Sequence, residues 1–133
     1  MVKLTERQAA FLHEEPNVAV VVALRDDGTP QQTVVWVDSD GEHVVLNLNN
    51  FRAKLEHMRR DPRVSVLTID RTNPFRWLGV EGKVVEITTD GAYDHIVNQA
   101  RIYLGRDTYA LGEGEERILV KIRPDRVEAR SIE

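Results

Sequence analysis

Hydrophobic and polar positions alternate with two different periods along the chain, and the switches between them mark the elements. Leu4, Ala9, Phe11 and Leu12 recur at helical spacing. Thr5 stands before them as an N-cap with Gln8 three residues on, so a short capped helix is predicted, ending before Pro16. Three β-branched runs follow: Val18 to Leu24, Gln32 to Val37 and His43 to Leu48. Asp26-Asp27-Gly28 separates the first two, and Asp38-Ser39-Asp40-Gly41 the last two. Strands joined by Asp-Gly turns predict an antiparallel meander.

Ala53 to Arg60 is helix-compatible and is stopped by Asp61-Pro62. Arg63 to Ile69 reads as a strand with Val64, Val66 and Leu67 inward. Arg71 to Pro74 reads as a loop. Phe75 to Ile87 is long enough for one bent strand or two, with Gly79 and Gly82 as bulge positions. Tyr93, Ile96, Val97, Ala100, Tyr103 and Leu104 fit one helix face, capped by Thr89 or Asp90. A polar loop from Asp107 to Glu116 leads to a last strand, Ile118 to Ile122, which Arg126 to Arg130 extends beyond Pro124. Six or seven mostly antiparallel strands with three helices predict a mainly β protein. A closed or nearly closed barrel leaves fewest exposed edges.

Composition narrows the chemistry. The 133 residues predict one domain, 1–133, able to bury a core without staples. There is no cysteine, so disulfides, thiolate metal sites and a cysteine nucleophile are excluded. A net charge of −4 argues against general nucleic-acid binding. No leader-like apolar stretch and no run approaching a membrane span is present, so a cytoplasmic location without membrane partners is expected. The four histidines, His13, His43, His57 and His95, lack metal-ligand spacing, and no metal is expected. No serine occupies a nucleophile elbow. The acidic residues Asp38, Asp40, Glu113, Glu115 and Glu116 read as solvated turn formers. Trp36 and Trp77 read first as core residues.

One stretch stands out against the acidic background. Asn47-Leu48-Asn49-Asn50-Phe51-Arg52-Ala53-Lys54 carries two cations into the start of a helix. The helix dipole disfavours positive charge there unless an anion compensates. Free backbone N–H groups at the same place suit a phosphate. From the residues alone, a phosphate site and a solvated face both remain open for Arg52 and Lys54. Arg59, Arg60 and Arg63 fall at the helix end that tolerates cations.

With these motifs in place, the stretch from Val18 to Asp70, with "RAK" and "RRDPRVSVL" within it and "NPFRWLGVEGKVVEI" after it, resembles the pyridoxamine-5′-phosphate-oxidase-like, FMN-binding split-barrel superfamily. It is most similar there to the small deazaflavin-dependent oxidoreductases, the B group of coenzyme F420-dependent reductases. The resemblance covers about residues 5 to 130. It implies a six-stranded antiparallel split β-barrel and a homodimer with two cofactors at the interface. It implies phosphate contacts from Arg52, Ala53 and Lys54, with Asn47 and Asn49 before them. It also implies a ring lying along Gln32, Thr33, Val34, Val35 and Trp36, with Arg76 and Trp77 near the cofactor. The oxidase itself has Arg-Lys where this chain has Ala53-Lys54, and its substrate-phosphate residues have no clear match, which points away from pyridoxamine-phosphate oxidation. The activity implied is hydride transfer between coenzyme F420 and an electron-poor small molecule, with no side chain assigned as a catalytic acid. Two alternatives stand beside it: an FMN-dependent flavoprotein of the same fold, and a cofactor-binding protein without turnover. The carboxylate tail of the deazaflavin would call on Arg59, Arg60 or Arg63.

Overall fold

A computed structural model describes residues 2–133. Helix α1 (Glu6–Glu14) starts on the expected box: Thr5 accepts from the Gln8 backbone, and the Gln8 side chain accepts from the Thr5 backbone. Its Phe11 and Leu12 enter the core beside Leu4 and Ile132. Seven strands follow: β1 (Ala19–Leu24), β2 (Pro30–Val35), β3 (Asp38–Ser39), β4 (Val44–Asn49), β5 (Arg63–Asp70), β6 (Asn73–Thr88) and β7 (Arg117–Arg130). Helix α2 (Ala53–Arg60) lies between β4 and β5, and α3 (Ala92–Leu104) between β6 and β7. None of the helices is long and apolar enough to cross a membrane.

The strands form one antiparallel sheet in the order β2-β1-β5-β6-β7-β4-β3. Its two edge strands, β2 and β3, are consecutive in the chain and joined only by Trp36 and Val37. A seven-stranded sheet whose outer strands are two residues apart must curl, and this gives the split barrel. The Tyr103 hydroxyl sits at the split. It accepts from Val37 N at 3.0 Å and lies 2.8 Å from the Asn17 carbonyl, to which it donates. Burial pushes its pKa up to about 12, so the hydroxyl keeps its proton.

The meander is corrected at one point. The β1–β2 hairpin forms around Gly28 as expected, with Arg25 N bonded to Thr29 O. The second Asp-Gly turn, however, joins the two-residue strand β3 to β4, and β4 takes its long pairing from β7. The run from Val44 to Leu48 is buried throughout, so it needs cover on both faces. Val44, Leu46 and Leu48 face the barrel interior; Val45 packs with Ala92 and Leu119 under α3. Leu67 also departs from expectation. It lies outward on β5, and Thr68 takes the inward place with Val64 and Val66.

Phe75 to Ile87 is one continuous strand. Register slips between Glu81 and Gly82 and between Val84 and Glu86 bend it around the barrel. Gly82 is a bulge glycine as expected, whereas Gly79 sits in regular pairing between Leu67 and Glu128. The α3 cap also differs: Gly91, at φ +73, is the N-cap, and neither Thr89 nor Asp90 fills that place. The chain must reverse sharply out of β6, and only glycine adopts that conformation cheaply. A Cβ on Gly82 would stand 2.1 Å from the Arg123 carbonyl oxygen. Gly82→Ala is therefore expected to destabilise the fold by at least ~1–3 kcal/mol through overpacking, read as a lower urea midpoint.

Candidate functional site

Where the β2 edge meets the end of β4 and the start of α2, a cleft of about 240 Å³ opens. Val34, Val35 and Trp36 form one wall, and Asn47, Leu48 and Asn49 the floor. Arg52 and Lys54 line it where α2 begins, together with Tyr109 and Arg117. Seven of the twelve residues singled out from the sequence thus share one cavity. The other five lie outside it. Gln32 faces solvent on β2 and Ala53 is the exposed first residue of α2. Thr33 points inward, its hydroxyl buried without a hydrogen-bond partner. Arg76 reaches α1, with Glu15 at 2.7 Å, Asp70 at 2.9 Å and the Phe11 ring beneath its guanidinium. Trp77 lies on the outer face of the sheet, paired with Ile69 and Arg130, where Gly79 leaves room for its ring.

Lys54 is the outlier of the cleft. Its residue is only 6% exposed, yet among the described residues it makes no ion pair and no hydrogen bond. Its stem is buried while its ammonium opens into the cleft, partly withdrawn from water, and a charge held there without a partner bears a desolvation cost. Burial, and then the nearby Arg52 guanidinium, hold the Lys54 ammonium below the usual lysine range. Arg52 is the N-cap of α2 and gives no side-chain cap. The first N–H groups of the helix, at Ala53 and Lys54, have no intrahelical acceptor. Two cations and a free helix N-terminus therefore converge on one spot, and Glu115, the carboxylate within reach of the Arg52 charge, is already bound to Arg117. By charge and donor set this spot suits a phosphate. The β2 edge beside it offers unpaired backbone groups to a flat ligand.

The other cations are answered within the chain. Arg117, on the first position of β7, is 9% exposed. Its Nε donates to Asn47 Oδ1 at 2.9 Å, Nη2 to the Asn47 carbonyl at 3.1 Å and Nη1 to Glu115 at 2.6 Å. Asn49 closes a local turn by accepting from Phe51 N. Arg59 pairs with Glu56, Arg60 donates to the Leu24 carbonyl, and Arg63 grips Asp61. Trp36 stacks on Tyr103 with ring centroids 4.9 Å apart and meets Tyr109 edge-on, so its orientation is fixed before any ligand arrives.

Sequence reasoning missed Arg117, Tyr109, Val18, Leu48 and Ile96 as cleft residues. Arg117 abuts a predicted strand, but only the β4–β7 register, with Asn49 opposite Arg117, brings it to the cleft. Tyr109 lies in a loop with no local signal. Asp38 and Glu115 are not the solvated turn formers expected, with side chains 15% and 13% exposed and held by His95 and Arg117. Among the described residues no cluster of groups could hold a metal ion. A larger hollow, about 420 Å³, lies on Val22, Leu24, Val64 and Gly82. Arg63 there faces Asp61 and Arg126 faces Glu81, and the carboxylates Glu81 and Asp125 line the hollow beside Lys83, which suits an anion less well than the cleft does.

The chain belongs to the pyridoxamine 5′-phosphate oxidase family, whose model matches residues 4–131. Among solved structures it is similar to an F420 reductase, at 27% identity and a TM-score of 0.80, over 93% of this chain and 98% of that one. A conserved hypothetical protein of Mycobacterium tuberculosis shares the fold at 22% identity and a TM-score of 0.73, covering 96% and 84%. So does the General Stress Protein 26 of Bacillus anthracis, at 18% and 0.67, covering 94% and 92%. No curated protein matches the sequence. The split-barrel expectation thus holds, with seven strands rather than six, the seventh being the two-residue β3.

Proposed function

We propose that the cleft holds the phosphate and ring of a flavin-type cofactor, that the cofactor is coenzyme F420, and that the chain is an oxidoreductase. The observation that carries this reading is Lys54, a largely buried residue whose ammonium opens into the cleft beside Arg52 and has no ion pair or hydrogen bond among the described residues. In this reading Arg52, Lys54 and the first α2 N–H groups bind the phosphate. The β2 edge from Val34 to Trp36 carries the ring, and Asn47 and Arg117 form a fixed polar floor. The bound cofactor would supply the hydride chemistry; the chain binds it, orients it and keeps water from one ring face. Similarity to an F420 reductase supports the choice of cofactor. FMN remains the second reading for a specific reason. Arg59 and Arg63 already face carboxylates and Arg60 is tied to the Leu24 carbonyl, so of the three only Arg60 keeps an uncompensated charge for a polycarboxylate tail, which FMN lacks.

Titrating the protein with each cofactor while following tryptophan quenching separates the readings, since Trp36 lines the cleft. Tight F420 binding and F420-dependent reduction of an electron-poor acceptor are expected. Tight FMN binding with none for F420 would replace the first reading by the second. Binding of neither would remove both.

We also propose that the working form is a homodimer. Val34 on β2 is 67% exposed, and Val18, just before β1, lies exposed beside it with Leu67 and Ile69 of β5. Val18 and Val34 also line the cleft, so a copy seated on this face would complete its wall. A charge in this patch should oppose association. Leu67→Glu is expected to give monomers in analytical ultracentrifugation with weakened cofactor binding. A dimer unchanged by Leu67→Glu would place the interface elsewhere.

A further inference from the structure

Behind the cleft floor runs a chain of polar contacts that the cofactor reading does not use. His95, on α3, bridges two elements: Nε2 lies 2.8 Å from Asp38 Oδ2 of β3, and Nδ1 lies 3.0 Å from Asn47 Nδ2 of β4. The orientation of the Asn47 amide is not free. Its Oδ1 accepts from Arg117 Nε at 2.9 Å, and one Nδ2 proton goes to the Ala92 carbonyl at 2.8 Å. The second Nδ2 proton therefore points at His95 Nδ1, which must accept. That leaves the ring proton on Nε2, where it donates to Asp38. The two neighbours thus fix one neutral tautomer.

We propose that His95 is a positioning residue for the cleft: neutral, with its proton on Nε2, it locks Asn47 and through it Arg117, and protonating it loosens the ligand site. The inference rests on the cleft being the ligand site. A protonated ring carries a proton on Nδ1 as well, and donor would then face donor across 3.0 Å. Asn47 would have to turn or withdraw, and Arg117 would lose the acceptor of its Nε.

The charged surroundings are defined on every side. Asp38 faces the ring from β3 and also accepts from His13 of α1 at 2.7 Å. Burial alone would raise the Asp38 pKa, but the bonds from His95 and His13 outweigh it and hold the carboxyl below the ordinary range. Asp38 therefore stays anionic as the histidine titrates. Tyr103 lies within reach of the Asp38 charge but keeps its proton. Arg117 and Glu115 neutralise one another beyond Asn47. Asp40, His43 and Lys121 form a separate group further along β3. His13 is mostly exposed, so the Asp38 end of this chain of contacts meets solvent.

The sign of the effect distinguishes positioning from charge alone. A positive His95 acting only through its charge would tighten the hold on a phosphate at acid pH. Loss of the lock weakens it. The test begins with the cofactor-free, ¹⁵N-labelled chain. At neutral pH the His95 nitrogens should show the Nε2–H tautomer. The Asn47 side-chain amide and Arg117 Nε–H signals should move on acidification with the same midpoint as His95. In His95→Asn, whose carboxamide oxygen can take the place of Nδ1 as acceptor, those two signals should stay flat through that range. FMN and coenzyme F420 affinities should fall on acidification about tenfold more in the wild type than in His95→Asn, the worth of one buried hydrogen bond. An Nδ1–H tautomer, or Asn47 and Arg117 signals indifferent to His95, would overturn the proposal without any variant. So would equal pH dependence of binding in the two proteins. If neither cofactor binds at any pH, the cofactor reading fails, and the tautomer and the coupled signals still decide the role of His95.

Discussion

Lys54→Met is expected to stabilise the cofactor-free protein and, in the same step, to remove tight cofactor binding. Both effects come from one fact: Lys54 is largely buried and, among the described residues, no group pairs with its charge. In the free protein the ammonium bears a desolvation cost that methionine, of similar length and apolar, does not. A gain of about 0.5–2 kcal/mol, the range common for single stabilising substitutions, is expected. In the complex the same ammonium would make charge-assisted hydrogen bonds to phosphate, and losing one costs about 1.5–3 kcal/mol. Urea denaturation of the free protein and fluorescence titration with cofactor read the two effects separately. A destabilised free protein with unchanged affinity would mean that Lys54 serves packing alone. Arg52→Ala should weaken binding with little change in stability, because Arg52 is exposed and has no partner to abandon.

Arg117→Met is expected to have the largest effect on folding, about 3–5 kcal/mol, as removal of one partner from a buried pair does. Three groups lose a donor at once: Asn47 Oδ1, the Asn47 carbonyl and Glu115. Methionine fills the space but donates nothing. Adding Glu115→Gln should recover part of the loss, because the stranded carboxylate is then neutral. The pH dependence has a definite sign. The Glu115 pKa is lowered first by the bond from Gly112 N and then by Arg117. A depressed folded-state pKa contributes stability that is present above the unfolded value, about 4.3, and is lost as the pH falls below it. In Arg117→Met that acid-side loss should shrink without vanishing, since the Gly112 bond remains. An Arg117→Met protein with wild-type stability would contradict the closed network described for the cleft floor.

How much of this was legible in the sequence depends on range. Features set by a few neighbouring residues were readable: the Thr5–Gln8 box, the stop at Asp61-Pro62, the β1–β2 hairpin and the α2 boundaries. The pairing of β4 with β7 was not, because its partner lies some seventy residues away and the intervening Asp-Gly turn favours a local hairpin. The anomaly at Lys54 was visible as misplaced charge at a helix start, but its burial depends on how α2 packs on the sheet beside β1. Arg76 shows the converse. Its basic, aromatic-flanked position draws attention in the sequence, whereas its partners Glu15 and Asp70 meet it only once α1 folds across the sheet. The His95 network was invisible for the same reason. Its members lie on α1, β3, β4, α3 and β7, and no spacing rule joins them.

A crystal structure of the protein with coenzyme F420 tests the central claim most directly. The account predicts the phosphate within hydrogen-bond distance of Lys54 Nζ and the first α2 N–H groups, and the ring along Val34, Val35 and Trp36. A cofactor seated elsewhere, with Lys54 still buried and unpaired, would contradict it.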